Sequence, residues 1–511
     1  MLKRSLLVTA VAILAAGCSL QPAYQRPDAP VASSFPAGGV YDAQPDGATP
    51  ATTNSDTGSA KGLTAADIGW RNFFSDPRLQ KIEELALKNN RDLRVSMLNV
   101  EAAQARYQVT RAGLFPSIGA SASKDRTRTP LDLSPTGVTL STTYSVGLNA
   151  SWEIDFFGRI RSLKDQALAQ YLSTAEARKA AEISLLSAVA AQYLTMLAYD
   201  DQLVVTRNTL TNTQESFRIS KLQFDTGTGS ELDLRQAQGI LEQASANLQS
   251  QMRLRAQAEN ALVLLVGQPL PADLPTGLTL DSQNLLTDIP AGLPSDLLVR
   301  RPDIAAAEQT LISANANIGA ARAAFFPEIS LTGTLGTLSP SFGGLFNSGS
   351  RAWSFMPQIS LPIFSGGANT ANLELAQVEK RIEIANYQKA IQTAFREVAD
   401  GLAARGTYDS QIASLERYTQ SQSRRLELSD LRYRNGVDNY LSVLTAQTDL
   451  YNAQLILITA RLQRLTNLVD LYQYLGGGWI EHTGDQPRPA DAVGDYRIDK
   501  KPTTNTMAPT K

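Results

Sequence analysis

RAGLFPSI at 111–118 recurs as RAAFFPEI at 322–329, and LQFDTGTGSELDLRQAQ at 222–238 recurs as LRYRNGVDNYLSVLTAQ at 431–447. The copies are offset by 211 and 209 residues, so what repeats is a whole unit and not a short motif. Self-similarity on this scale marks two copies of one supersecondary unit that pack against each other. The punctuation inside each copy is the same. Asp76-Pro77 and Arg301-Pro302 open helices, because Pro suits the first helical turn. Pro116 and Pro327 close them. Between Arg159 and Thr226 there is neither Gly nor Pro, and Ile160 to Leu222 reads as one helix of 63 residues, about 95 Å at 1.5 Å per residue. The second copy repeats it from about Asn369 to Tyr433, with Gly401 and Gly406 as points of bend or local weakening. Ala mixed with Gln, Ser, Thr and Arg in these helices suits a thin helical wall with one wet face.

Between the helices of each copy the period changes to two. Tyr144, Val146, Leu148, Ala150, Trp152, Ile154 and Phe156 alternate with Ser145, Gly147, Asn149, Ser151, Glu153 and Asp155. In the second copy Trp353, Phe355, Pro357, Ile359, Leu361 and Ile363 alternate with Ser354, Met356, Gln358 and Ser360. Weaker partner strands begin at Ile118 and Ile329. Strands of about ten residues, apolar on one side and polar on the other, are those of an outer-membrane barrel. On that reading Glu153 and Asp155 face the lumen. Phe115, Phe156, Phe157, Phe326 and Phe364 gather where strands meet helices, as an interfacial girdle does. The polar segments 124–141 and 337–350 suit exposed loops. Four strands per chain cannot close a barrel in lipid, where open edges are not tolerated and the smallest barrels have about eight strands. Several chains must therefore share one barrel.

The N-terminus gives the destination. Lys3 and Arg4 precede an apolar run and then LAAGCS, with Cys18 the chain's only cysteine. A charged start, a short apolar stretch and small residues before a cut make a secretory signal peptide, too short to span a membrane. The stretch resembles a bacterial lipobox, with Ala15 where the motif prefers Leu; Cys18 then becomes a fatty-acylated (palmitate-bearing) N-terminus. The resulting division is 1–17 signal peptide, 18–62 lipid-anchored extended tether, 63–280 first repeat, 281–475 second repeat and 476–511 flexible tail. Strands are expected at about 115–128, 141–156, 326–338 and 351–364, long helices at about 160–223 and 369–433, and return helices at about 230–265 and 439–474.

Composition excludes most chemistry. With 511 residues, 47 Lys+Arg against 49 Asp+Glu, and one His, there is no basic footprint for nucleic acid and no set of His or Cys ligands for a metal or a triad. No catalytic group, metal or cofactor is expected. What remains is binding, structure or transport, not an enzyme. For transport, a conduit needs a closed end. The long helices turn at Gly227 and Gly436, both able to take a left-handed cap. Ser230 and Asp233 form a capping box in the first copy, and Asp438 can cap the return helix in the second.

VRRPDIAAAEQTL (299–311), GAARAAFFPEISLTG (319–333) and YRNGVDNYL (433–441) resemble the outer-membrane factors of tripartite efflux systems, of the TolC and OprM type, in their lipoprotein multidrug branch. The resemblance covers nearly the whole mature chain. It implies a mainly α fold with a transmembrane β-barrel contribution: a homotrimer whose twelve-stranded barrel sits in outer-membrane lipid and continues into a helical periplasmic tunnel. It also implies a periplasmic adaptor and an inner-membrane pump of the RND type as partners. By the same resemblance Asp233, Tyr433, Leu441 and Thr445 fall on the periplasmic constriction. Members of the branch carry an acid at the position of Thr445 and an Arg at that of Thr448, so an ionic latch at that level is not expected here. The duct of a one-step protein secretion system shares the fold and is the competing reading; the lipobox and the Arg-Arg-Pro-Asp region favour efflux.

Overall fold

A computed structural model describes residues 19–41, 64–133, 137, 140–286 and 294–491. The helices are α1 (Trp70–Phe73), α2 (Pro77–Asn89), α3 (Arg91–Ala112), α4 (Arg159–Asp225), α5 (Glu231–Val266), α6 (Pro294–Arg300), α7 (Pro302–Ala323), α8 (Ala368–Arg434) and α9 (Tyr440–Tyr474); the strands are β1 (Ser117–Arg128), β2 (Leu140–Ile154), β3 (Glu328–Ser339) and β4 (Arg351–Ser360). Helix pair, strand pair, 67-residue helix and return helix thus occur twice in the same order. The chain forms two compact units. One gathers the residues up to Asp28 with Asn99–Ala175 and Ala306–Lys389; the other gathers Ala29–Leu98, Glu176–Ala305 and the chain from Ala390.

The first unit holds one antiparallel sheet in the order β1-β2-β3-β4. Its register pairs Ile118 with Ala150, Ala120 with Leu148 and Ala122 with Val146. Leu148 in turn pairs with Leu335, Trp152 with Leu331 and Ile154 with Ile329, and Leu335 pairs with Trp353, Gly333 with Phe355 and Ile329 with Ile359. Since strand side chains alternate between faces, one face is apolar across all four strands. The other carries Ser121, Asn149, Ser151, Thr332, Thr334 and Gln358. β4 ends at Ser360, so the expected strand to 364 is too long: Ile363 and Phe364 lie beyond it, nearly fully exposed. β1 runs on to Arg128 through the polar residues expected to form a loop.

Glu153 and Asp155 serve the joint between β2 and α4. Glu153 takes a two-pronged pair from Arg159, at 3.0 and 2.5 Å. Asp155 accepts the Ile160 and Arg161 backbone N–H groups, at 3.0 and 2.8 Å, and so satisfies donors that a helix start leaves free. Of the expected aromatic girdle, Phe157 stacks on Phe326 at 4.8 Å and meets Phe156 edge-on at 5.2 Å, while Phe115 and Phe364 are exposed. The segment after Cys18 is extended yet docked, contrary to a free tether. Arg322 and Asn315 of α7 donate to the Leu20 and Pro22 carbonyls, and Arg26 forks onto Glu308 with both bonds at 2.7 Å. Tyr24 donates to the same carboxylate at 3.0 Å. Cys18 itself and residues 42–63 lie outside the described residues.

In the second unit Asp76 caps α2 and is fully buried, which its donors make tolerable: the Arg78 and Leu79 N–H groups, the Tyr193 hydroxyl, the Leu278 N–H and the Gln283 amide. Phe73 stacks on Tyr472 at 4.0 Å, and the Tyr472 hydroxyl donates to Ile68 O. Arg301 of the Arg-Arg-Pro-Asp stretch pairs with Asp303 at 2.6 Å and with Glu397 of α8 at 2.8 Å, and it donates to the Tyr474 carbonyl of α9. The motif is a three-way tie between helices. α8 is unbroken through Gly401 and Gly406, against the expected weak points. Gly401 is a packing residue, because a Cβ there would come within 2.6 Å of the Leu471 side chain.

The tail is not flexible from 476. Trp479 and Ile480 are buried against Ile183, and Trp70 and Arg71 donate backbone bonds to Ile480 O and Glu481 O. The Trp479 ring lies 4.6 Å from the Arg488 guanidinium and 5.5 Å from that of the fully buried Arg178, and Glu182 pairs with both cations.

Glu83 on α2 is fully buried, and neither carboxyl oxygen has a hydrogen-bond partner among the described residues. Burial holds it well above the usual carboxylate range, partly offset by Arg71 and reinforced by Asp76. The folded chain therefore keeps this proton at pH values where the unfolded chain has lost it, and stability falls as pH rises above the ordinary Glu value of about 4.3 toward the folded one. Glu83→Gln is expected to gain in stability on the wild type as pH rises from about 4.5 to 8. Denaturation midpoints by helical circular dichroism at the two pH values measure it; equal midpoint differences at both would show that Glu83 does not titrate.

Candidate functional site

The residues expected to close the duct lie at two helix corners in the second unit. At each corner a glycine takes the left-handed conformation, Gly227 at φ 75° and Gly436 at φ 67°. The following N–H reaches back to the helix in both: Thr228 to Gln223 O at 2.8 Å and Val437 to Arg432 O at 2.9 Å, with Gly227 bonding to Phe224 O and Gly436 to Tyr433 O. This paired pattern closes the last turn and needs a residue that tolerates positive φ. The next helix starts three residues later by a side-chain cap. Ser230 accepts from the Asp233 N–H at 3.1 Å while its hydroxyl donates to the Asp233 carboxylate at 2.7 Å. In the second copy the cap is Asn439, not Asp438: Asn439 Oδ1 accepts from the Ser442 N–H. Asp438 stands one residue earlier, accepting from the Asn439 N–H and the Ser442 hydroxyl and facing Arg432 at 3.4 Å. The Asn439 N–H bond, followed by the other donors, holds its carboxyl below the usual range.

The two corners pack on each other. Ala237 of α5 and Tyr440, Val443 and Leu444 of α9 form a buried cluster flanked by Phe217, Leu426 and Tyr433. Tyr433 belongs to this packing, its hydroxyl donating to Gln223 Oε1 at 2.9 Å and its ring 5.0 Å from that of Tyr440. Leu441 points elsewhere, with 49% of its surface exposed. It lines, with Thr445, Leu428, Arg425, Arg432 and Asp438, a groove of about 870 Å³ between α8 and α9. Leu441 and Thr445 thus come together; Asp233 is committed to its cap, and Tyr433 to the inter-corner core. The Thr445 and Thr448 hydroxyls bond back to the Leu441 and Leu444 carbonyls of their own helix. A charge pair is present all the same: Arg425 of α8 meets Asp449 of α9 at 2.6 Å. Sequence reading missed it because the two partners lie 24 residues apart on opposite arms of a hairpin.

A family model described as outer membrane efflux protein matches residues 83–268 and 293–477, one match per repeat. The chain belongs to the outer membrane efflux protein family. Among the relatives of this outer membrane efflux protein, the probable efflux pump outer membrane protein TtgC of Pseudomonas putida is 46% identical over 490 residues, covering 95% of this chain and 98% of the relative. The outer membrane protein OprJ of Pseudomonas aeruginosa is 42% identical over 473 residues, covering 92% and 95%. The open state of the Neisseria gonorrhoeae MtrE outer membrane channel matches with a TM-score of 0.79 at 38% identity, covering 92% of this chain and 100% of that one. The solved structure of CusC matches with a TM-score of 0.77 at 38% identity, covering 90% and 100%.

Proposed function

We propose that this outer membrane efflux protein is the passive exit duct of a tripartite pump. It works as a homotrimer: β4 of each copy pairs with β1 of the next to close a twelve-stranded barrel, and the helices continue it into the periplasm. A periplasmic adaptor and an inner-membrane pump of the RND type supply cargo and energy. The carrying observation is the sheet, one face of which carries an apolar band across all four strands while β1 and β4 keep unpaired edges. Such a face stabilises only in lipid, at about 25 cal/mol per Å² buried, and such edges only when paired. Relatives named for toluene, solvent and antibiotic efflux support small, toxic, largely apolar organic cargo over secreted protein.

Mass measurement of the purified protein in detergent is expected to give three chains per particle, and a monodisperse, barrel-containing monomer would sink the reading. Deleting the gene is expected to sensitise cells to solvents and antibiotics while leaving secreted proteins unchanged.

Lipid on Cys18 is part of the same proposal. The docked segment supports it, since Leu20 sits on Arg322 in the last turn of α7, just before β3. Cys18→Ser is expected to lose fatty-acid labelling and signal-peptide removal together; a variant still cleaved and still labelled would defeat the assignment.

A further inference from the structure

The apolar face of the sheet does not stay apolar to its far end. β1 places Lys124, Arg126 and Arg128 on it, in register with Tyr144, Thr142 and Leu140. β4 adds Arg351, in register with Thr337. The acids of the four strands, Asp125, Glu153 and Glu328, all fall on the opposite face. The four cations occupy the strand ends farthest from the helices, because β1 follows α3 at Ser117 and β2 feeds α4 from Ile154. No carboxylate pairs with any of them among the described residues. Lys124 Nζ lies 5.3 Å from the Tyr144 ring centre, and Phe342 meets the same ring edge-on at 5.9 Å. Away from the helices, then, this face runs from aliphatic residues and Trp to an aromatic pair and then to an end whose charges are all cationic, set among Thr142, Leu140 and Thr337.

We propose that this belt binds the phosphate of anionic lipid headgroups in the outer leaflet. The proposal rests on the duct reading, which sets the apolar face in lipid and the strand ends on the outer side. Tyr and Phe at such a level mark the boundary between hydrocarbon and headgroups. Lys and Arg just beyond it lay their stems over apolar surface and keep their charges at headgroup depth. Arg forks match phosphate oxygens in two-pronged bonds. A rim that only had to stay wet would be served by mixed charge. Three like charges along β1, with every strand acid on the other face, repel one another until an anion lies between them. Closing the ring brings Arg351 of one copy alongside the β1 cations of the next, for twelve cations per particle.

The test uses the full chain purified in neutral detergent, with dioleoylphosphatidylglycerol, dioleoylphosphatidylcholine or inorganic phosphate added, and reads the temperature at which the oligomer is lost. Phosphatidylglycerol is expected to raise that temperature more than phosphatidylcholine, inorganic phosphate to leave it unchanged, and about 1 M salt to shrink the difference. The variant K124Q/R126Q/R128Q/R351Q is expected to keep its trimer mass and conductance but to need roughly fivefold more phosphatidylglycerol for the same shift. The milder R126Q/R128Q is expected to fall between, and Asp125→Asn, on the opposite face, to match the wild type. A stable trimer that responds alike with and without the four cations overturns the lipid site and leaves the duct intact. A shift from inorganic phosphate alone overturns the lipid as ligand. A wild-type protein that forms no oligomer overturns both readings.

Discussion

Leu441→Ala is expected to raise single-channel conductance in planar bilayers roughly threefold, because three copies of this side chain would form an apolar collar that closes by dewetting. The geometry favours Leu441 over its neighbours for this role. It is half exposed at the start of α9, whereas Tyr433 is tied into the packing between corners and Asp233 is held by the Ser230 cap of α5. Thr445 and Thr448 spend their hydroxyl protons on carbonyls of their own helix. Arg425–Asp449 joins two arms of one hairpin and is partly exposed, so it contributes about 0–1 kcal/mol and weakens with salt. The gain in conductance should therefore persist from low to high salt once bulk conductivity is divided out. Asp233→Asn keeps an acceptor for the Ser230 hydroxyl and is expected to alter ion preference more than closure. Wild-type conductance in Leu441→Ala, together with an open channel in Asp233→Asn, would show that the collar is the wrong gate.

Gly336→Val is expected to abolish the assembled barrel. Gly336 faces Gly147 directly across β2 and β3, on the polar side of the sheet. A Cβ on Gly336 would overlap the Val146 carbonyl oxygen and come within 2.6 Å of Gly147 Cα; one on Gly147 would come within 2.8 Å of the Leu335 carbonyl oxygen. Backbone cannot give way as a side chain can, so the two strands must part, at a cost on the order of 3–5 kcal/mol. Loss of the oligomer band on unheated gels and of bilayer conductance reads the effect. Gly239→Ala is the control: nothing lies within 4 Å of a Cβ there, and a helical Gly→Ala change stabilises by about 0.5–1 kcal/mol. A Gly336→Val protein that assembles like this control would show that the strands have room to shift.

Periodicity and punctuation carried the architecture. Two copies of one unit, a period of two between helical stretches, and Gly with a capping residue at each corner are local signals, set by backbone sterics and by which face must leave water. They left few alternatives for element order, strand faces or the corner at Gly436. Tertiary structure decided what depends on residues far apart in the chain. Trp479 reads as part of a flexible tail until Ile183, Arg178 and Arg488 pack against it. Gly401 reads as a weak point in a helix until Leu471 occupies the space a side chain would take. Arg425 and Asp449 become a pair only when the hairpin folds. Lys124, Arg126, Arg128 and Arg351 become a single-sign belt only when register fixes the face of each strand. A pattern repeated along the chain is visible in one dimension, whereas a contact between distant segments exists only once packing has chosen which surfaces meet.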